Sequence, residues 1–362
     1  MIRPISSEPR TARSDVERGR AGFTLVELMI SVSLLAIVVL GVFESLTRQH
    51  RTSIVTENVV EVQNNVRAIA SLMEREVRMA GYMVPDAASV CGRDLTTGSD
   101  ELFVSETEPI VPDDARAGDM GARLSTGSTW SNPTINSSNP SNSTPVTLNL
   151  DSTTTDLDGD GTYFYDNDNN GTGEADFRVG GGFIAADLAN PQRGSVCGRV
   201  TAASSTQLTI VPISGALVAH NATNDAEEEI VIVPAARYSL DTTGGVGRLM
   251  RNGDLLAEGV DDFQVSYYFD VDDDGVVDSA TAEEPGTKTG NAYSPGNWNN
   301  STLKEVRFSI VVRTRSTDND FSQGSFLTLE NRAAPAGGND GFRRRVVAGS
   351  VRPRNVGVTG SI

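Results

Sequence analysis

Histidine and cysteine are among the scarcest chemical resources of this 362-residue chain, with two of each. The two histidines, His50 and His220, leave little room for a metalloenzyme or a histidine-based hydrolase. Two cysteines exclude both a disulfide-dense scaffold and a four-cysteine zinc site. Aromatic residues make up only 6% of the chain. No GxSxG elbow, GxxxxGK[ST] phosphate loop or HExxH pair occurs, and no repeat of solenoid length is visible. Basic residues are also short, with 30 Lys and Arg against 48 Asp and Glu and a net charge of -18. That balance argues against a general nucleic-acid binder, whose affinity rests on neutralising phosphates. It suits extracellular solubility or cation binding, and composition alone does not choose between them. The length suggests about two domains.

What the chain does have is one long apolar run. Residues 23–43, FTLVELMISVSLLAIVVLGVF, are 21 residues with Glu27 as the one ionisable side chain. Such a stretch is long enough to cross a ~30 Å hydrocarbon layer as a helix. Its Leu, Ile, Val and Phe residues together favour insertion by about 6 kcal/mol, against about 3 kcal/mol for a centrally placed carboxylate. Insertion wins and Glu27 is tolerated at a cost; in the plainest reading it snorkels to the interface.

The 22 residues ahead of the run carry Arg3, Arg10, Arg13, Arg18 and Arg20 against Glu8, Asp15 and Glu17, a net +2. This end is expected to stay cytoplasmic and the bulk of the chain to be exported. A secretory signal peptide has its small-residue cleavage site after the apolar region. Here the small pair Ala21-Gly22 precedes it, so cleavage at Gly22-Phe23 removes the basic leader alone. Initiation at Val16 would shorten that leader to residues 16–22.

The run Arg20-Ala21-Gly22-Phe23-Thr24-Leu25-Val26-Glu27-Leu28 resembles the class III signal of type IV prepilins. The resemblance implies that a prepilin peptidase cuts after Gly22 and that the new amino terminus, Phe23, is methylated. Glu27 lies four residues beyond Phe23, one helical turn along the same face. In a bundle of such helices it can meet the charged amine of a neighbouring subunit, relieving two buried charges at once. Phe23 and Glu27 are therefore the expected assembly pair, and Gly22 with Phe23 the processing pair.

Past the run, Val55, Val59, Val62, Val66, Ile69, Met73, Val77 and Ala80 recur at spacings of three and four, which is one face of an amphipathic helix. Gly81 is the expected cap and Pro85 bars continuation. The rest reads as short strands between Gly, Pro, Asn and Asp punctuation: 207–213, 229–233, 263–269 and 306–312, the last alternating as if one face were buried. Asn252-Gly253 is a two-residue hairpin signal. Residues 125–155, rich in Ser, Thr, Asn and Pro, read as a long surface insertion or disordered loop, and Gly180-Gly181-Gly182 as a turn or bulge.

Three blocks resemble one pilin subgroup, the PilW-type minor pilins: Asn65-Val66-Arg67-Ala68 through Glu76 to Tyr82, Gly259 to Tyr268, and Phe342 through Arg352-Pro353-Arg354-Asn355. Much of residues 85–240 carries no such likeness. The resemblance implies an α+β, type IV pilin-like fold, with a long N-terminal helix packed on an antiparallel β-sheet head bearing long loop insertions. The expected segments are a leader (1–22), a membrane-spanning half-helix (23–43), an amphipathic half-helix (44–81) and an exported β-rich head (82–362).

The sharpest polar cluster is Asp270, Asp272 and Asp274, followed by Gly275, Val276 and Asp278. Alternating carboxylates, a turn glycine, the carbonyl of Val276 and a further oxygen at Asp278 follow the ligand order of an EF-hand-type calcium loop. Thr281 stands where the bidentate Glu belongs, and flanking helices are lacking. A second region, Asp156, Asp158 and Asp160 with Asp166, Asp168 and Asn170, repeats the spacing; solvated acidic turns account equally well for it. Calcium is the one cofactor these loops suggest. Cys91 and Cys197, in an exported region, are expected to pair. Arg343-Arg344-Arg345 invites a nucleic-acid reading, but strand geometry sends alternate side chains to opposite faces and no stacking aromatics are interleaved, so no nucleic-acid partner is expected.

The resemblance points to a non-enzymatic minor pilin at the bacterial inner membrane, single-pass with an exported head, and later part of the extracellular pilus. Its implied partners are the prepilin peptidase, the major pilin, other minor pilins and a tip adhesin, and its implied role is priming assembly near the tip. A minor pseudopilin of type II secretion shares the N-terminal signal. A calcium-dependent adhesion module and a membrane-tethered enzyme are the readings from other classes, the latter without a nucleophile-base constellation to support it.

Overall fold

The computed structural model describes residues 22–95, 97–106, 121–125, 128, 130, 143–151, 164–165, 174–187, 194–204, 206–217, 230–270, 277, 302–318, 321, 329, 332 and 340–356. One helix, α1, runs from Leu25 to Met79, 55 residues. The chain divides into two compact units, 1–56 and 57–362, so the boundary falls within α1.

In the first unit the helix is long and apolar enough to cross a membrane. Its large apolar side chains, Leu34, Leu35, Ile37 and Leu40 among them, are exposed on every side, as a helix needs when its surroundings and not its own protein solvate it. The few hydroxyls here are satisfied locally. Ser31 Oγ donates to the Glu27 carbonyl at 2.7 Å and Ser33 Oγ to that of Met29 at 2.8 Å, so neither brings an unmet hydrogen bond into an apolar medium.

In the second unit α1 buries one stripe: Val66, Ile69, Ala70, Met73 and Val77, continued by Ala80 just beyond it. The spacing is that read from the sequence, and its partner is a β-rich head. The strands are β1 (Val90–Arg93), β2 (Glu101–Ser105), β3 (Ala122–Arg123), β4 (Val146–Asn149), β5 (Phe164–Tyr165), β6 (Glu174–Ala175), β7 (Gly182–Asp187), β8 (Gly194–Ala203), β9 (Gln207–Leu217), β10 (Ile230–Asp241), β11 (Arg248–Arg251), β12 (Asp254–Glu258), β13 (Val260–Phe269), β14 (Leu303–Arg313) and β15 (Arg344–Val351). Every pairing is antiparallel. The main sheet runs β1-β2-β10-β7-β8-β9-β4, with β3 and the β11–β12 hairpin added around β10; a second sheet is β13-β14-β15. The fold is α+β, as expected: a long N-terminal helix followed by a head of antiparallel sheets.

The main sheet is rolled. β1 and β8 lie four strand steps apart in its order, which on a flat sheet is about 19 Å. Yet the Cα atoms of Cys91 in β1 and Cys197 in β8 are 6.2 Å apart and joined by a disulfide. Only a sheet curled back on itself permits both.

Two expectations need correction. Residues 146–149, inside the stretch read as an irregular insertion, form β4 against β9. Leu148, Leu150 and Trp130 are buried in a second apolar cluster with Phe183, Val196 and Ile210. The apolar residues of that stretch are few but placed at strand spacing, and the Ser/Thr/Asn background hid them. The strand at 306–312 was expected to bury one face. In β14, Val306, Phe308 and Ile310 are buried on one side, but Ser309 and Val311 are buried on the other. β14 is the central strand of its sheet, and on the adjoining strand Gln264 is covered by the 98–100 segment, its Nε2 donating to the Gly98 carbonyl at 2.9 Å.

Candidate functional site

The expected processing junction, Gly22-Phe23, and the expected assembly carboxylate, Glu27, sit together at the start of α1. Gly22, Phe23 and Thr24 precede the helix, and Phe23 is 81% exposed. Phe23 was expected inside the first turn; the helix instead begins at Leu25, because Thr24 caps it. Thr24 Oγ1 accepts the Glu27 N–H at 3.3 Å, and the Thr24 carbonyl accepts the Leu28 N–H at 3.1 Å. Thr24-x-x-Glu27 is thus the pattern of a capping box, with an acidic side chain where the positive end of the helix dipole favours it. That signature stood in the sequence, overshadowed by the cleavage signal that contains it. Glu27 is exposed and free to meet a second helix.

At its other end α1 is built into the head. Gly81, at φ +82°, turns the chain out of the helix, a conformation a side chain would strain. The last carbonyls are then capped from far along the chain: the Arg354 N–H donates to the Arg78 carbonyl at 3.0 Å and Asn355 Nδ2 to that of Met79 at 3.2 Å. Glu76 anchors the same turn to the main sheet. It accepts from the Tyr238 hydroxyl and from Arg251 Nε at 3.0 Å, and Arg251 also reaches Glu106 at 2.6 Å. Burial, and then the charge of Glu76, pushes the Tyr238 phenol up. Burial opposes the Arg251 charge, but Glu106 and Glu76 prevail and hold it above its ordinary value. The next two residues, Asn252 (φ +53°) and Gly253 (φ +91°), make the expected hairpin turn, and the Asn252 amide is held by the Arg237 N–H at 2.8 Å. No periodicity argument finds this network, since it joins residues up to 175 positions apart.

A second buried polar knot caps the free edge of β13. Asp100 accepts the Leu95 N–H at 2.9 Å and the Val265 N–H at 2.8 Å. Burial raises its carboxyl to about 7 against the pull of those two amides, with the charges of Asp94 and Asp262 adding to the rise. Asp262 in turn takes the Ser99 hydroxyl at 2.8 Å, Gln264 Nε2 at 3.0 Å and the guanidinium of Arg332.

Of the first Asp-rich loop, Asp270 is described; its side chain is fully covered and faces Lys304 Nζ at 3.6 Å, so a cation of the protein already stands near that position. Asp272, Asp274, Val276 and Asp278 lie outside the described residues, as do Asp156, Asp158, Asp160, Asp166, Asp168 and Asn170. Among the described residues no three His, Cys, Asp or Glu side chains converge as a metal site. Two of the three arginines of the run are engaged within the head. Arg343 pairs with Asp318 at 2.7 Å and stacks over Phe321 at 4.2 Å. Arg344 pairs with Asp261 and Asp340 at 2.5 Å each, while Arg345 is exposed.

Comparison with known proteins yields two family matches. Residues 18–43 match the prokaryotic N-terminal methylation motif, and residues 235–355 match type IV pilus-assembly protein W. No curated protein matches the chain. Among solved structures, a type IV-like pilin from Thermus thermophilus aligns with 13% identity, covering 49% of this chain and 89% of its own, at a TM-score of 0.21.

Proposed function

We propose that the chain is a PilW-type pilin with an N-terminal cleavage and methylation signal, a reading supported by the two family matches, and that it is a minor pilin that primes type IV pilus assembly at or near the tip. In this reading the leader is removed after Gly22, the apolar half of α1 holds the protein in the inner membrane, and the head stands on the exported side. The mature helix packs against those of other pilins, and Glu27 meets the Phe23 amine of a neighbour. The subunit is structural and turns over no substrate.

One observation carries the proposal. The exposed apolar helix begins two residues beyond the Gly22-Phe23 junction, with an exposed carboxylate in its first turn. Glu27→Ala is expected to leave membrane insertion intact and to weaken incorporation into filaments sheared from cells. Normal incorporation of that variant would overturn the docking role. Deleting the gene should remove surface pili; intact pili with loss of secreted enzymes would reassign the protein to a type II secretion pseudopilin.

A further inference from the structure

The head is acidic and its arginines are mostly engaged. Arg93 and Arg237 grip Glu101 at 2.8 Å each, Arg248 takes Asp241 at 2.6 Å, and Arg251, Arg343 and Arg344 hold the carboxylates already described. Around the C-terminal cap of α1 the pattern reverses. Arg354 donates its backbone N–H to the Arg78 carbonyl, which puts the two residues side by side. Arg75 lies one helical turn before Arg78 on the same face, and Arg352 stands two residues before Arg354. All four side chains are exposed. Among the described residues Arg75, Arg78 and Arg354 have no ion-pair partner. Arg352 lies within electrostatic range of Glu305, a carboxylate also held by the Arg307 guanidinium and, at 2.5 Å, by the Ser350 hydroxyl. Next to Arg78 in the chain is Met79, 39% exposed, its carbonyl capped by Asn355.

We infer that Arg75, Arg78, Arg352 and Arg354, together with Met79, form a docking surface for a carboxylate-rich face of a neighbouring exported pilin subunit. Charge selects the occupant, since exposed cations, three of them without an ion-pair partner among the described residues, on a chain of net charge -18 mark the place where an acidic surface is attracted and not repelled. The composition of the patch selects a protein. An exposed thioether beside exposed arginines has the composition of a protein interface, where Met and Arg are enriched. Phosphate backbones and lipid headgroups are bound by charge without such an apolar component. The two chain ends that build the surface are locked by the capping hydrogen bonds, so little order has to be created on docking.

The inference rests on the pilin reading and is tested apart from it. Full-length protein carrying a photo-crosslinking residue in place of Met79 is irradiated in cells, and the crosslinked peptides are mapped by mass spectrometry. The expected adduct is with another pilin subunit at an Asp/Glu-rich segment. Its yield should fall about tenfold in Arg78→Glu/Arg354→Glu, and less in Arg78→Gln/Arg354→Gln. It should hold in Arg67→Glu, an exposed arginine elsewhere on α1, and be restored when the mapped partner carboxylates are changed to Lys. Retention of the Cys91–Cys197 disulfide reports that the variants are folded. Unchanged yield on charge reversal, an adduct at a peptide without carboxylates, or adducts with lipid or DNA would overturn the docking surface. Failure of the unsubstituted protein to enter filaments would instead overturn the pilin reading.

Discussion

The two halves of α1 share a backbone and differ in what surrounds them. Met29, in the first half, is 63% exposed; Met73, in the second, is completely buried. Both are good helix formers with the same flexible thioether. Around Met29 the helix is apolar on all sides, whereas around Met73 it is apolar on one stripe and charged opposite, with Arg67, Glu74 and Arg75 flanking Val66, Ile69 and Val77. Helix propensity therefore explains neither half. The first is adapted to an apolar medium outside the protein, and the second to an apolar surface that the protein itself supplies.

The sharpest way to break the comparison is to truncate both methionines. Met73→Ala should destabilise the head by about 2–5 kcal/mol in urea unfolding, because it opens a cavity in a packed core. Met29→Ala should change head stability by less than about 0.5 kcal/mol. Equal effects would mean that the first half is also packed within the folded protein.

That contrast was legible before any coordinates, because a switch from all-round to one-stripe hydrophobicity is a pattern in the sequence itself. The first part of β10, expected at 229–233 and found to run from Ile230 to Asp241, and the Asn252-Gly253 hairpin were legible for similar reasons, being local in period or in dihedral demand. What escaped was non-local. The pairing of Cys91 with Cys197 was expected from the redox environment an exported head would meet; that their pairing requires a sheet rolled through four strand steps follows only from the strand order. Likewise no local pattern marks Glu76 for a structural role, yet it is bound by Tyr238 and Arg251. The cap of α1 by Arg354 and Asn355 comes from nearly 280 residues away, and no local rule anticipates it.

A second contrast between the regions is their response to pH. Titration should reach the head's stability through Asp100, which is almost wholly buried. Its carboxyl sits near 7 in the fold against an ordinary 3.8, because burial disfavours the charge. A raised acid favours folding in its protonated form, so this contribution is complete below about pH 4 and is lost as pH rises through about 7. Head stability measured by urea denaturation should fall between pH 5 and pH 8 by about 1–3 kcal/mol on this account, and Asp100→Asn should flatten that slope. A slope unchanged by the substitution would remove Asp100 as its origin. Helicity of the apolar half should not follow the titration.

The smallest expected effect concerns the first turn of the apolar half, where local hydrogen bonding decides. Thr24 Oγ1 satisfies the Glu27 N–H, one of the four amides a helix start leaves unpaired. Thr24→Ala should cost about 1 kcal/mol of local helix stability, read as roughly fivefold faster hydrogen exchange at the amides of residues 25–28 in detergent micelles. Thr24→Ser should restore protection, and urea unfolding of the head should be the same in all three proteins. The comparison has a functional edge, because Glu27 is at once the third residue of the capped turn and the carboxylate proposed to meet a neighbour's amine. If Thr24→Ala frays the turn while Glu27→Ala leaves it ordered but blocks filament entry, then cap and docking are separable properties of adjacent residues. If both substitutions fray the turn and both block entry, the role of Glu27 is to hold the helix start rigid, and the intersubunit ion pair is not needed to explain it.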